Sequence, residues 1–103
     1  MGPRGLLVDI SPELGRLLKM ALAADGHDEL ANPVDGLEAH EPCSCGDAFC
    51  TSFYTGPRPC AGWGPDHVNL VYDFDPGMIV LDVVEGAIRF VEVLDRPDLG
   101  WLP

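Results

Sequence analysis

Two apolar runs in the last third of the sequence constrain its fold most strongly. The runs Met78 to Val84 and Ala87 to Leu94 are rich in valine, isoleucine and leucine, and only Glu85-Gly86 separates them. β-Branched residues favour strands, and two residues are enough for the tightest hairpin turn. The sequence therefore predicts an antiparallel hairpin whose turn is Glu85-Gly86.

The register of this hairpin determines which side chains share a face. A two-residue turn places Val84 opposite Ala87, and an uninterrupted ladder then places Asp82 opposite Arg89. Opposite charges across a ladder contribute roughly 0.2–1 kcal/mol, which favours this register. Both faces are then apolar, with one set formed by Leu81, Val83, Ile88 and Phe90 and the other by Met78, Val80, Val84, Val91 and Val93.

Each of the two apolar faces must be shielded from water, either by other parts of the chain or by another molecule. A chain of 103 residues offers one N-terminal helix for one face. The other face needs the loop around Trp63, the segment Leu99 to Leu102, or a second molecule. We favour a second molecule, and the sequence thereby predicts a homodimer.

The predicted helix begins near Ser11. Ser11-Pro12-Glu13 supplies a hydroxyl cap, a proline at the first helical position and an acid at the positive end of the helix. Leucine and alanine then recur at helical spacing as far as Gly26, and a short further turn ends before Asn32-Pro33. The preceding segment, Leu6 to Ile10, is predicted as either a short strand or an extended arm.

After Leu37 the sequence carries the signals of strands and turns. Residues 67–74 alternate apolar with more polar positions, and Asp75-Pro76-Gly77 has turn composition. Together these patterns predict a single α+β domain over residues 1–103, helical at 11–31 and β-rich at 37–96. Its predicted architecture is an N-terminal helix packed on an antiparallel meander of four or five strands.

Three cysteines lie close together in the segment from Cys43 to Cys50. A two-residue turn at Gly46-Asp47 places Cys43 opposite Cys50 and all three thiols on one face, whereas a four-residue loop places Cys45 opposite Cys50. Thiolates and imidazoles are preferred zinc ligands. A zinc site is therefore one hypothesis, with the candidate ligands Cys43, Cys45, Cys50, Cys60, His40 and His67.

Two other roles for the cysteines stay open at this point. Only one residue separates Cys43 from Cys45, fewer than the two usual in zinc sites, and packing as small buried apolar side chains is the first alternative. The second is a thiol redox role, or an enzyme in which a Cys60 nucleophile is assisted by His67 and Asp66.

The acidic excess limits the classes of partner. Asp and Glu number 17 against 6 Lys and Arg, and the formal net charge is −11. This charge argues against nucleic acid and anionic membrane as partners and favours a basic protein. The sequence has neither a signal-peptide pattern nor a run of about 20 apolar residues, so we expect a cytoplasmic protein with no membrane partner.

The loop from Gly56 to Pro65 is the candidate partner-binding segment. Its Trp63 lies between two glycines in a proline-rich stretch, which presents an aromatic anchor to a partner or folds it back over a sheet. Arg58 and Tyr54 complete the predicted partner-binding set. The leading hypothesis is a non-enzymatic interaction or self-associating module without a cofactor, and zinc binding is the alternative.

A longer pattern combines these features. Cys43-x-Cys45-Gly46-Asp47-x-x-Cys50, followed by Trp63-Gly64-Pro65 and the hairpin from Gly77 to Pro97, resembles small uncharacterised bacterial proteins of unknown function. The resemblance covers residues 40–98. It implies that the cysteine turn and the meander belong to one unit, and it implies no activity and no ligand residues.

Overall fold

The helices occupy the first third of the chain, as predicted. The computed structural model describes residues 5–43, 51–57, 62–74, 76–96 and 98–99. Its helices are α1 (Leu7–Ile10), α2 (Pro12–Ala24) and α3 (Asp28–Ala31), followed by a 3-10 helix at Asn32–Gly36. A two-residue strand β1 (Gly5–Leu6) precedes them and pairs antiparallel with β2 (Glu38–Ala39).

The helix signals acted largely as the sequence predicts. Ser11 caps α2, its Oγ accepting from the Leu14 N–H at 3.4 Å, and Gly26 follows the helix with a φ of +81°. The prediction of a strand or an extended arm over Leu6 to Ile10 is wrong from Leu7 onward, where α1 begins. The Ser11 N–H donates to the Leu7 carbonyl at 2.8 Å, which closes a helical turn and buries Leu7.

Five antiparallel strands form the main sheet. They are β3 (Glu41–Pro42), β4 (Phe53–Tyr54), β5 (His67–Asp73), β6 (Met78–Val84) and β7 (Ala87–Leu94), in the spatial order β3-β4-β7-β6-β5. The α+β class with a helix on a five-stranded antiparallel sheet is confirmed. Consecutive strands form a meander from β5 to β7, and the β3-β4 pair lies on the other side of β7.

The hairpin β6-β7 contains a β-bulge that the sequence analysis did not predict. Val84 pairs with Ala87 and Val83 with Ile88, as expected, but Asp82 then pairs with Phe90 instead of Arg89. The register shift leaves Arg89 as an extra residue in β7. The predicted Asp82–Arg89 pair is therefore wrong, and so are the predicted pairs Leu81–Phe90 and Val80–Val91.

Thr55, just after β4, holds this bulge. Its hydroxyl donates to the Ile88 carbonyl at 2.6 Å, and its N–H donates to the Arg89 carbonyl at 3.0 Å. Two consecutive carbonyls of β7 are thus bonded by one residue, a pattern that an uninterrupted ladder cannot offer because successive carbonyls point to opposite sides of a strand.

The bulge changes which side chains of β7 face the helix. Leu81 now pairs with Val91 and Ile79 with Val93, and all four side chains are fully buried. Phe90 moves to the opposite face. An uninterrupted ladder would have carried Phe90 and Glu92 toward the helix in place of the two valines, and an unpaired buried carboxylate is costly. The predicted assignment of faces is therefore wrong beyond Ile88.

One apolar core lies between α2 and the sheet. The helix contributes Leu14, Leu18 and Leu22, each 0 % exposed, and each such side chain stabilises the fold by roughly 1.5–3 kcal/mol. The sheet face that packs on them is called the inner face and carries Phe53, Ile79, Leu81, Val83, Ile88, Val91 and Val93.

Tyr72 and Leu99 complete the core at its margins. The Tyr72 hydroxyl donates to Asp25 Oδ2 at 2.9 Å and ties β5 to the end of α2. Burial, reinforced by Asp25, raises the pKa of Tyr72 to about 12. Leu99 is also fully buried in this core, so it covers the inner face and not the second face for which it was a candidate.

Within the described residues, no helix has the length and apolar character needed to cross a bilayer.

Gly77, in the turn between β5 and β6, is a position where any added side chain is strained. Its φ is +95°, and an added Cβ would lie 2.9 Å from the Leu94 carbonyl oxygen and closer still to Arg96. We expect Gly77→Ala to lower the free energy of unfolding by about 1–3 kcal/mol.

Chemical denaturation measures this change, with Gly36→Ala as the matched control. An added Cβ at Gly36 meets nothing within 4 Å, so that variant should be neutral or more stable by up to about 1 kcal/mol. Equal stabilities for the two variants would contradict the turn geometry.

Candidate partner-binding site on the outer sheet face

The face of the sheet opposite α2, called the outer face, carries a row of aromatic rings. Tyr54 and Phe90 pair across β4 and β7, with their ring centroids 4.3 Å apart. Trp63 reaches over the sheet from the loop before β5, and its centroid lies 6.2 Å from Tyr54 and 6.2 Å from His67. The row therefore spans the sheet from β4 to β5.

Two of the three predicted partner-binding residues belong to this row. Tyr54 and Trp63 are both half-buried, so each packs one side on the protein and keeps another in solvent. Arg58 lies outside the described residues. The contact between Tyr54 and Trp63 joins two members of the predicted partner-binding set, one in β4 and one in the loop before β5.

Beside the aromatic row, a buried carboxylate holds two polar side chains of β5. Asp82 Oδ1 accepts from Asn69 Nδ2 at 2.5 Å and lies 2.6 Å from His67 Nε2. Asp82 is only 8 % exposed, and the two donors offset the cost of its burial. The imidazole of His67 is thus fixed in orientation beneath Trp63.

A second carboxylate on this face, Glu92, is affected by Asp82. Glu92 is half-buried and lies diagonally across the β6-β7 ladder from Asp82. Burial raises the pKa of Glu92, and the negative charge of Asp82 raises it further. The outer face therefore combines aromatic rings with two partly desolvated carboxylates.

The residues Asp82, Asn69 and Glu92 were absent from the predicted site. The signal that could have found them is the parity of the strands, because Asp82 is the only charged residue in β6, and His67 and Asn69 share one face of β5. The expected Asp82–Arg89 ion pair assigned Asp82 a different partner, and its contact with His67 and Asn69 was therefore not predicted.

The cysteine segment is described only at its first residue. Cys43 is half-buried and its N–H donates to the Ser52 carbonyl at 2.8 Å. This bond continues the β3-β4 register and places Cys43 opposite Ser52, so the alternative that pairs Cys43 with Cys50 is wrong. The alternative that pairs Cys45 with Cys50 falls on residues outside the described ones and stays a prediction. Cys45, Cys50 and Cys60 lie outside the described residues.

The two candidate histidine ligands lie at opposite edges of the sheet. His40 precedes β3 and Cys43 follows it, and the His40 N–H donates to the Tyr54 carbonyl at 2.8 Å. His67 begins β5, and three strands separate it from β3. Strands are spaced by about 4.8 Å and zinc bonds are near 2.3 Å, so no single ion contacts both Cys43 and His67.

The rest of the metal and enzyme hypotheses stay predictions. Among the described residues, no group of three or more His, Cys, Asp or Glu side chains is arranged to hold a metal ion. For the nucleophile hypothesis, the partner of His67 is Asp82, not Asp66, whose backbone carbonyl accepts from the Glu85 N–H at 3.3 Å.

Comparisons with protein-family models, with curated proteins and with solved structures give no match. The resemblance to small bacterial proteins therefore stays a prediction.

The two donors on Asp82 make it the polar centre of this face. We expect Asp82→Ala to lower the free energy of unfolding by about 1–3 kcal/mol, because His67 and Asn69 lose their acceptor in a partly desolvated setting. Asp82→Asn keeps an acceptor oxygen and should lose less. Thermal and chemical denaturation compare the two variants, and an Asp82→Ala protein as stable as wild type would contradict the assigned hydrogen bonds.

The raised pKa of Glu92 gives a pH dependence of defined sign. A folded state that raises the pKa of an acid binds its proton more tightly than the unfolded state, so stability falls as pH rises through that interval. Glu92→Gln should therefore raise the free energy of unfolding at neutral pH, and the gain should shrink as the solution is acidified.

The control for Glu92→Gln is Glu38→Gln, an exposed position in β2. It removes the same charge without altering the outer face. If both variants show the same gain at neutral pH, net charge and not the environment of Glu92 is responsible.

Proposed function

We propose that this protein is a non-enzymatic interaction module whose outer sheet face binds a basic protein partner. The observation that carries the proposal is Trp63 held half-buried between Tyr54 and His67, above a sheet that bears Asp82 and Glu92. We further propose that it acts in the cytoplasm, without a cofactor and without nucleic acid or membrane as partner.

The aromatic row suits a contact surface because its rings are already ordered. Tryptophan and tyrosine dominate the energetics of many protein interfaces, and rings packed in advance lose little conformational entropy on binding. Trp63 is supported on both sides by other rings. A partner side chain that covers its remaining surface would gain contact area at little ordering cost.

The charges on this face select the chemistry of the partner. Asp82 and Glu92 lie in the middle of the face, Asp73 is exposed at its edge, and the chain as a whole has a net charge of −11. A lysine or arginine placed over Trp63 would interact with the ring face and with the nearer carboxylates, those of Asp82 and Glu92, together. The guanidinium plane of arginine also stacks on aromatic rings, which favours arginine over lysine.

The polar centre supports a positioning role and not a catalytic one. His67 Nε2 is within 2.6 Å of a carboxylate that is itself buried. The same carboxylate holds Asn69, so the three side chains hold one another in place under Trp63. In the proposed module they fix the shape of the binding surface.

Titration with a fluorescently labelled arginine-rich peptide tests the proposal. We expect saturable binding that weakens as salt is added, and Trp63→Ala should weaken it by about tenfold or more. Met20→Ala is the matched control, since Met20 is an exposed apolar side chain on α2, far from the outer face.

A second pair of variants separates the outer face from the general acidity of the protein. Glu92→Gln should weaken peptide binding more than Glu38→Gln, although each removes one charge. Two results would refute the proposed site: an affinity that Trp63→Ala does not change, or an affinity that falls equally in both glutamine variants. Either result would show that the peptide is attracted by the net charge of the protein and not by the outer face.

A further inference from the structure

The two edges of the five-stranded sheet differ in how they are protected. At one edge, β3 is two residues long and contains Pro42, and proline and short length both prevent further strands from adding. At the other edge, β5 runs for seven residues from His67 to Asp73. It contains no proline and no lysine, and β6 is its only strand partner among the described residues.

The hydrogen-bond pattern shows which groups of β5 face outward. The Asp66 carbonyl accepts from Glu85 and the Phe74 N–H donates to Gly77, so the residues that bond across to β6 have even numbers. Backbone groups alternate along a strand. Those of His67, Asn69, Val71 and Asp73 therefore point away from the sheet.

The side chains along this edge are apolar and exposed. Val68 is 58 % exposed and Val71 is 54 % exposed, on opposite faces of the strand. They are among the most exposed large apolar residues described. An edge with aligned backbone donors, exposed valines and little charge is suited to pairing with another strand.

We propose that β5 pairs antiparallel with β5 of a second copy, so that two five-stranded sheets join across a two-fold axis at Leu70. In this register the outward groups of Asn69 meet those of Val71, and those of His67 meet those of Asp73. Val68 of each copy lies opposite Tyr72 of the other. Every residue of the strand has a partner.

The positions of the acidic side chains favour this register over its neighbours. Asp73 lies opposite His67, whose Nε2 is already held by Asp82 of its own copy, so no two carboxylates face each other, and the two Asp73 side chains are separated by roughly 20 Å at 3.4 Å per residue. A shift by two residues keeps the backbone groups in phase but leaves the strand ends unpaired. A register that opposes the two Asp73 carboxylates is unfavourable.

The proposed dimer is built on the backbone of β5, to which His67 and Asp73 also belong. It does not cover Trp63 or Glu92, so two outer faces lie side by side in the joined sheet. The contact itself adds little charge repulsion, because β5 carries one carboxylate per copy.

Val71→Pro tests the proposal on the full-length protein. Proline at Val71 removes an outward N–H that β6 does not use, so the monomer keeps its fold while the edge can no longer pair. Val71→Thr is the matched control, since it keeps the N–H and the β-branched shape. In sedimentation equilibrium we expect dimers for wild type and Val71→Thr, and loss of the dimer for Val71→Pro.

Hydrogen exchange supplies a second readout that does not require the proline variant to fold. In wild type, the outward amides of Asn69 and Val71 should exchange more slowly at high protein concentration than at low concentration. Any of three results would overturn the proposal. They are a wild-type protein that is monomeric at the highest soluble concentration, a folded Val71→Pro protein that still dimerises, and exchange rates of these amides that do not change with protein concentration. Trp63→Ala should leave the dimer intact, and Val71→Pro should leave peptide binding intact, so the two proposals fail separately.

Discussion

A single extra residue in β7 determines what each side of the sheet carries. The bulge at Arg89 inverts the alternation of every later side chain in the strand, which sends Val91 and Val93 into the core and Phe90 and Glu92 to the outer face. Two hydrogen bonds from Thr55 to consecutive carbonyls hold this arrangement. The core is complete because of the bulge, and the outer face has its aromatic and acidic character for the same reason.

The outer face is consequently a mixed surface and not an exposed apolar one. Phe90 supports Tyr54, and Tyr54 together with His67 supports Trp63. Asp82 fixes His67 from below, and burial together with the nearby charge of Asp82 raises the pKa of Glu92. The original reason to expect a homodimer, a wholly apolar second face, therefore no longer holds. The exposed edge of β5 supports self-association on different grounds.

Much of the fold is readable from local signals in the sequence. The cap at Ser11, the proline that follows it and the turn at Glu85-Gly86 each act through neighbouring residues, and the structure confirms all three. The bulge could not be derived in that way, because the two bonds that hold it come from Thr55, more than thirty positions away in sequence. A clue was present in the order Ile88, Val91, Val93, which keeps the same face apolar only if one residue is skipped.

The candidate site was predictable in part for a similar reason. Trp63 stands out by its setting between glycines, and Tyr54 is near it in sequence, but the pairing of Asp82 with His67 and Asn69 depends on the β5-β6 register. The opposite charge of Arg89 led to the prediction of an Asp82–Arg89 pair, whereas the partners of Asp82 in the structure are His67 and Asn69. The separation of His67 from Cys43 likewise depends on strand order, which β-branched runs do not encode.

The register of β6 against β7 is the central claim, and proton NMR measures it directly. Close Hα–Hα contacts across an antiparallel ladder occur at the pairs that do not exchange backbone hydrogen bonds. The bulged register predicts strong Hα–Hα cross-peaks between Leu81 and Val91 and between Ile79 and Val93. Cross-peaks between Leu81 and Phe90 and between Ile79 and Glu92 would instead show an uninterrupted hairpin, and would contradict the assignment of the two faces on which the proposed binding site depends.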